Sequence, residues 1–203
     1  MAKGSRDIIL RDRLQFTLDS DGDMSLVYGR IDLSDYVNVV EKKGLNVKDV
    51  YLQIRDPNNA GGGSANTGSW NILTGDFEPT ATADGHNTWK VFVTSRAYEN
   101  AADVGIASPD VLHIEEWTLS RYATATTPAV VQGITHSVYP MRDYHPAGYP
   151  VVSDLLVGIA VDVNGDENEW DSATLEVDIM LIAETTSIGA KQMTQLLTQA
   201  QDL

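Results

Sequence analysis

The feature that most constrains the fold is a long alternation of apolar and polar residues between positions 150 and 184. Aliphatic residues occupy most odd positions from 151 to 163, and again, with small alanines, from 173 to 183. Successive side chains leave a β-strand on opposite faces, so this period of two predicts two strands, each with one buried face. Residues 164–169 begin with Asn-Gly, which is typical of hairpin turns. We therefore predict one long antiparallel hairpin with a single apolar face.

The rest of the chain predicts further strands separated by turn residues. Residues 8–18 alternate in the same way, the run Asp-Ser-Asp-Gly-Asp at 19–23 favours a turn, and residues 24–31 return as a second strand. Ser34 or Asp35 is placed to cap a short helix that would end at the Lys-Lys-Gly run 42–44. Additional strands are expected over residues 45–55, 88–95, 111–122 and 129–139.

The end of the chain has a different pattern. Residues 189–203 carry Met193, Leu196 and Leu197 at helical spacing among polar residues. This narrow apolar stripe predicts a helix that either folds back on its own sheet or docks on a neighbouring chain.

Eight or nine strands without crossover helices predict an all-β fold, an antiparallel β-sandwich. We expect a jelly roll of about eight strands, with an immunoglobulin-like sandwich as the alternative. The predicted organisation is an amino-terminal arm over 1–7, a jelly-roll domain over 8–186 and a helical tail over 187–203.

Composition excludes several kinds of site. Fourteen Lys and Arg against 29 Asp and Glu give a formal net charge of −15, which argues against a general nucleic-acid or anionic-membrane surface. The chain has no cysteine, so disulfides and thiolate metal sites are excluded. No stretch approaches the roughly 20 apolar residues that cross a bilayer, and the polar start lacks the apolar run of a signal peptide.

Two acidic turns present oxygen ligands at alternating positions, as calcium loops do. However, the helix-loop-helix calcium pattern fails in both turns, because Met24 and Glu167 occupy its glycine position. A weak calcium site and an ordinary acidic surface therefore both stay open, and no other cofactor is expected. The candidate ligands are Asp19, Asp21 and Asp23 in the first turn, and Asp162, Asn164 and Asp166 in the second.

Other candidate chemistry is weaker. His113 and Glu115 share one face of a predicted strand, but a second histidine is missing at 115, so a core or interface histidine is favoured. Four tryptophans and the tyrosines at 139, 144 and 149 suit either a sugar-stacking platform or a core. No nucleophile-elbow or phosphate-loop signature is present, so enzymatic activity has no support.

A family resemblance emerges from the layout. The polar leader 1–6 precedes the strand Ile-Ile-Leu-Arg-Asp-Arg-Leu-Gln-Phe-Thr-Leu at 8–18. Then come Ile-Asp-Leu-Ser-Asp-Tyr-Val-Asn-Val-Val-Glu-Lys-Lys-Gly-Leu at 31–45, a strand over 46–55, and late in the chain two long strands and a tail. This order resembles the single jelly-roll capsid proteins of small icosahedral viruses, of the type found in environmental and marine small DNA viruses.

The resemblance implies a structural, non-enzymatic coat protein that self-assembles into an icosahedral shell around a genome, in a virion assembled in the host cell. Its partners would be copies of itself in a large homo-oligomer, together with any other capsid proteins of the shell. The alternative is a carbohydrate- or ligand-binding β-sandwich module. Within the coat-protein hypothesis we predict subunit contacts at Tyr144, Tyr149, Met193, Leu196 and Leu197.

Many such capsid proteins carry an arginine-rich amino-terminal arm, and this chain departs from that pattern. Its early cations are Lys3, Arg6, Arg11 and Arg13, and they are opposed by two nearby aspartates. So few cations predict a weak, salt-sensitive contact between this arm and a genome.

Overall fold

The computed structural model describes residues 7–58, 67–70, 85–108, 110–123, 130–164 and 170–201. Within them the chain forms nine strands, a 3₁₀ turn at Ala101–Asp103 and two helices. The strands are β1 Ile8–Thr17, β2 Met24–Ile31, β3 Lys43–Arg55, β4 Gly85–Thr94, β5 Val111–Ala123, β6 Val130–Tyr139, β7 Tyr149–Val151, β8 Leu155–Asn164 and β9 Thr174–Ser187. The helices are α1 Met141–Tyr144 and α2 Ala190–Gln201.

The strands form two antiparallel sheets in a nested order. A four-stranded sheet has the order β1-β9-β3-β7, and a five-stranded sheet has the order β2-β8-β4-β5-β6. The first strand therefore pairs with the last, β2 with β8, β3 with β7, and β4 with β5. This nested pairing is produced when one long hairpin is rolled into two layers, and it is the strand order of a jelly roll. Strand β6 is an additional strand at one edge of the five-stranded sheet. The predicted all-β sandwich is confirmed, and the strand order selects the jelly roll over the immunoglobulin-like alternative.

The predicted hairpin over residues 150–184 is wrong in its pairing. Strand β8 lies in the five-stranded sheet between β2 and β4, whereas β9 lies in the four-stranded sheet between β1 and β3. The alternation itself was informative, because both strands bury their odd-numbered side chains. Two strands that bury one face toward a common core can lie side by side in one sheet or face each other across the core. Periodicity does not distinguish these arrangements, and most of the predicted turn lies outside the described residues.

The main core lies between the two sheets. Leu45, Val47 and Leu181 enter it from the four-stranded sheet, while Val93 and Val157 enter from the five-stranded sheet, and all are at most 1% exposed. Four tryptophans meet at one part of this core, with ring centroids 4.7 to 6.2 Å apart. Each of these large aromatic side chains buries about 150–250 Å² of surface, and the edge-on and tilted ring contacts fix how they pack.

A second apolar cluster covers part of the outer face of the five-stranded sheet. Phe92, Val111 and Ile114 are buried there beneath Ala101 and Val104, which belong to the connection between β4 and β5. The connection is held by a reciprocal pair of bonds: the Tyr98 amide donates to the Tyr28 hydroxyl at 2.8 Å, and that hydroxyl donates to the Tyr98 carbonyl at 3.2 Å. One part of this sheet is therefore buried on both faces.

The short helix predicted after the second strand is not formed. Residues 34–36 and 39–42 are turns, and an isolated bridge pairs Asn38 with Lys43. Lys42 adopts a positive φ of 54°, which reverses the chain into β3. The valines at 37, 39 and 40 are poor helix formers, and a single turn cannot repay the cost of nucleating a helix.

The predicted carboxy-terminal helix is present as α2. Met193 is buried against Val152 and Ile188, and Leu196 and Leu197 pack at the margin of the same small cluster. Of the two placements left open by the sequence, α2 takes the first and folds back on its own domain. No helix in the described part of the chain is long and apolar enough to cross a membrane.

Candidate functional site

The two tyrosines predicted as subunit contacts differ in exposure. Tyr149 is 9% exposed, belongs to strand β7 rather than to a loop, and has its hydroxyl 3.1 Å from the Ser95 hydroxyl. Burial raises the pKa of Tyr149. Tyr144 is half-buried in α1, and its hydroxyl donates to the Tyr139 carbonyl at 3.1 Å. Burial, and secondarily Asp143, raises the pKa of Tyr144 far above its ordinary value. Tyr149 is therefore a core residue, while a neighbour contact at Tyr144 stays a prediction.

The predicted contact stripe on α2 is largely used within the chain. Met193 is 4% exposed, so it has almost no surface to offer a neighbour, whereas Leu196 and Leu197 are half-exposed. A subunit contact through this helix would therefore have to use its outer polar face and the flanks of the two leucines. That contact stays a prediction.

The predicted nucleic-acid residues divide between two regions. Lys3 and Arg6 lie outside the described residues, whereas Arg11 and Arg13 project from β1 on the outer face of the four-stranded sheet. Arg13 binds Asp178 with two bonds, of 2.5 and 3.1 Å. The hydrogen bond from Arg13 lowers the pKa of Asp178, and it also raises the pKa of Arg13. This arginine is thus partly neutralised by its own sheet, which weakens its contribution to any genome contact.

The outer face of the four-stranded sheet holds an open groove of about 600 Å³. Arg11, Met180 and Tyr51 stand opposite one another on three adjacent strands, and they line this groove with Arg13 and Asp178. The Tyr51 hydroxyl donates to Asp49 at 2.8 Å, an interaction that raises the pKa of Tyr51. The face therefore mixes paired charges with an aromatic side chain.

The two acidic segments proposed as calcium loops lie close together. Asp23 accepts a 2.6 Å hydrogen bond from the Val163 amide, next to Asp162, so the two segments meet at one part of the sandwich. Asp19 accepts bonds from the amides of Asp21 and Asp23 at 2.9 and 2.8 Å, which is the bonding of a turn.

The acidic residues of these two segments affect the pKa of one carboxyl group, that of Asp23. Burial raises the pKa of Asp23, and repulsion from Asp162 and the two other turn aspartates adds to the increase. Asp166 and the side chain of Asn164 lie outside the described set. Among the described residues, no group of three or more His, Asp or Glu side chains is arranged to hold a metal ion.

His113 and Glu115 form a small buried network. His113 is 2% exposed and lies 2.9 Å from one Glu115 oxygen, while the ring of His136 on β6 lies 3.1 Å from the other. The His136 ring also stacks on Trp117, with 4.6 Å between centroids. Of the two interpretations left open for His113, core or interface, the structure shows the core one, and the network ties β6 to β5. The sequence pattern gave no indication of the third member, His136.

The tryptophans do not form an exposed platform. Trp89 and Trp170 have no exposed surface, and Trp70 and Trp117 are half-buried against them and each other. The core interpretation of these residues is therefore confirmed, and the sugar-stacking platform based on the tryptophans is wrong.

Among the side chains that the structure describes, three exposed apolar residues lie on β6, and sequence reasoning singled out only one of them, Tyr139, as part of a sugar-stacking platform. Ile134 and Val138 are 47% and 44% exposed, although both occupy a regular strand. The available signal was a lack of charge: residues 122–141 contain no Asp, Glu, Lys or Arg.

No protein-family model and no curated protein sequence matches this chain. Among solved structures, one titled "Desmodium yellow mottle tymovirus" is similar at 8% identity, over 92% of this chain and 91% of that chain, with a TM-score of 0.31. A superposition this loose establishes neither a common fold nor a common function.

Proposed function

We propose that this chain is a structural viral coat protein that assembles with copies of itself into an icosahedral shell around a genome. The observation that carries the proposal is the strand order, β1-β9-β3-β7 facing β2-β8-β4-β5. Jelly rolls of this kind serve viral capsids, and they also serve lectins and cupins. Because a fold alone does not define a function, the choice among these classes depends on the surface.

The distribution of apolar side chains favours assembly over ligand binding. The largest aromatic residues, Trp89 and Trp170, are used in the core, whereas five of the eight exposed large apolar residues in the described part of the chain lie on strands in regular sheets, namely Ile9, Tyr51, Ile134, Val138 and Tyr139. Extended strand surfaces suit contact with another protein surface, while small ligands are usually bound in concave pockets. Many modest contacts of this kind add up when they are repeated by closed symmetry.

The proposed shell would make only weak contact with its genome. Of the four cations predicted to contact a genome, Arg13 is paired with Asp178. This leaves Lys3, Arg6 and Arg11 as candidates for the contact. Three cations release few counterions from a nucleic acid, so the contact should be lost at moderate salt. A shell of this protein would therefore rely on another component, or on confinement, to retain its genome.

The test is electron microscopy of the purified full-length chain over a range of salt and pH. Closed particles of uniform diameter are the expected result. A chain that stays dispersed in every condition would overturn the proposal.

A second candidate is a ligand-binding sandwich, which the groove beside Tyr51 and Arg11 favours. In that case, a panel of glycans and small acids should shift the resonances of residues lining this groove, and the chain should stay dispersed. The coat-protein proposal predicts that particles form and that these resonances do not shift.

A further inference from the structure

The edge strand β6 lacks the features that normally keep sheet edges from pairing. Exposed strand edges are usually protected by charges, proline, bulges or short length. Residues 130–139 of β6 contain no Asp, Glu, Lys or Arg, although the chain as a whole carries 43 such residues. The strand is also ten residues long and free of proline.

The other three sheet edges are protected in recognisable ways. Strand β1 carries Arg11, Asp12 and Arg13, and β2 carries Arg30 and a bulge near its start. Strand β7 has only three residues, one of which is Pro150. The contrast shows that the unprotected edge is specific to β6 among the described strands.

Exposed side chains occur on both faces of β6 among residues 133–139, whose burial the structure describes. The five-stranded sheet has one strand more than the four-stranded sheet, and the additional strand is β6. Among the described strands, β6 pairs only with β5. Burial falls sharply from β5 to β6: Leu119 on β5 has no exposed surface, while its cross-strand partner Ile134 on β6 is 47% exposed. Val138 at 44% and Tyr139 at 36% are exposed on the two opposite faces of the strand.

We propose that β6 pairs with β6 of a second copy of this chain, antiparallel and across a twofold axis, joining two five-stranded sheets into one of ten strands. The inference deepens the proposed function, because it names one contact through which copies would assemble. Antiparallel pairing of identical strands is self-complementary, as a twofold interface requires. The backbone groups of β6 that pair with no described strand would supply hydrogen bonds, and Ile134 and Val138 of both copies would meet on one face.

The charge distribution favours β6 as the place where two copies meet. At −15 per chain, two copies repel over most of their surfaces, so a close contact is favoured where charge is absent. A basic partner would be drawn to the acidic surfaces, and a neutral strand offers it no electrostatic gain.

The decisive test is a cysteine scan along β6 in the full-length chain, which has no cysteine of its own. Single cysteines at each of positions 133–138 are oxidised under mild conditions, and the covalent dimer is measured. In antiparallel pairing only residues at the twofold axis face their own copies, at Cβ separations close to those of a disulfide. We expect a sharp maximum at one position or two adjacent positions and little cross-linking elsewhere on β6.

Val40→Cys is the matched control, because Val40 is 92% exposed in a turn away from β6. Equal cross-linking at Val40 and along β6, or none on β6, would overturn the inference. A second measurement compares Val138→Lys with Val40→Lys by sedimentation equilibrium, after circular dichroism has verified the fold of each. Val138→Lys should weaken dimerisation by about tenfold, since it places like charges in the contact, and Val40→Lys should have no effect. Equal effects would count against β6.

The two proposals fail in different ways. Particles without a cross-linking maximum on β6 would refute β6 pairing and leave the coat-protein proposal standing. A clear maximum in a chain that forms dimers and no particles would support β6 pairing and refute the shell.

Discussion

Gly158 offers a sharp test of the second apolar cluster, on the outer face of the five-stranded sheet. This glycine lies on β8 between Tyr28 on β2 and Phe92 on β4, each its cross-strand partner. The two aromatic rings meet edge to face over it, with 5.9 Å between centroids. A Cβ at position 158 would lie 2.2 and 2.3 Å from two carbon atoms of the Phe92 ring. Because Phe92 is fully buried, its ring has no open space into which it can turn.

The expected cost of Gly158→Ala follows from two opposing terms. Overpacking a filled core costs about 1–3 kcal/mol. Replacing glycine inside a strand by alanine recovers roughly 0.5–1 kcal/mol, because the unfolded chain loses conformational freedom. The two terms span a net cost of about 0–2.5 kcal/mol. Because the added Cβ would come as close as 2.2 Å to a buried ring, we place the prediction in the upper part of this span, at a destabilisation of about 1–2 kcal/mol. Gly133→Ala on β6 is the matched control, because an added Cβ there meets no atom within 4 Å, and it should be neutral or slightly stabilising.

The assay is equilibrium unfolding in urea at a protein concentration low enough to exclude association. For an m-value near the top of the usual range of about 1–3 kcal/mol/M, Gly158→Ala should lower the midpoint by roughly 0.5 M with an unchanged slope. If Gly158→Ala matched the wild-type midpoint, the packing of the β4–β5 connection over this face would be wrong.

Two further predictions concern the acidic end of the sandwich and the tail. The raised pKa of Asp23 means that its charged form costs stability once the pH rises through the folded-state pKa, and that protonation at lower pH removes this cost. Asp23→Asn retains an oxygen that can accept from the Val163 amide, so it should raise the melting temperature at pH 7 and have no effect below about pH 4, near the ordinary pKa of an aspartate. Equal effects at both pH values would contradict this origin. Deleting residues 189–203 uncovers Val152 and Ile188, so it should lower the melting temperature, leave the β-sheet circular dichroism intact and impair particle formation; normal particles would exclude a role for the tail.

Much of the fold could be predicted from the sequence because local side-chain periodicity reports burial directly. Strands β1 and β2 and the helix α2 fall close to their predicted positions, and the parity of β8 and β9 correctly gave their buried faces. Trp89 and Trp170 were ambiguous between core and platform, since the residue type suits both. The choice depended on which strands face each other, and no local pattern encodes that.

The errors share this origin. Strands β8 and β9 would show the same apolar pattern whether they paired in one sheet or faced each other across the core. Their arrangement is determined by long-range pairing, of β8 with β2 and β4 and of β9 with β1 and β3. Tyr149 was predicted as a subunit contact, but it is buried in β7, an edge strand that tolerates the neighbouring Pro150 because it needs fewer amide donors. The β6 edge was missed because its signal is an absence of charge, which gains meaning only once the strand is known to end a sheet.

The central claim is that the tryptophans of this jelly roll pack in its core and that its exposed strands contact copies of itself. The most direct test is sedimentation velocity of the purified chain across a wide concentration range. The account predicts that the 22.1 kDa species gives way to one large, closed assembly as concentration rises. A single 22.1 kDa species at the highest concentration, in both low and high salt, would contradict it.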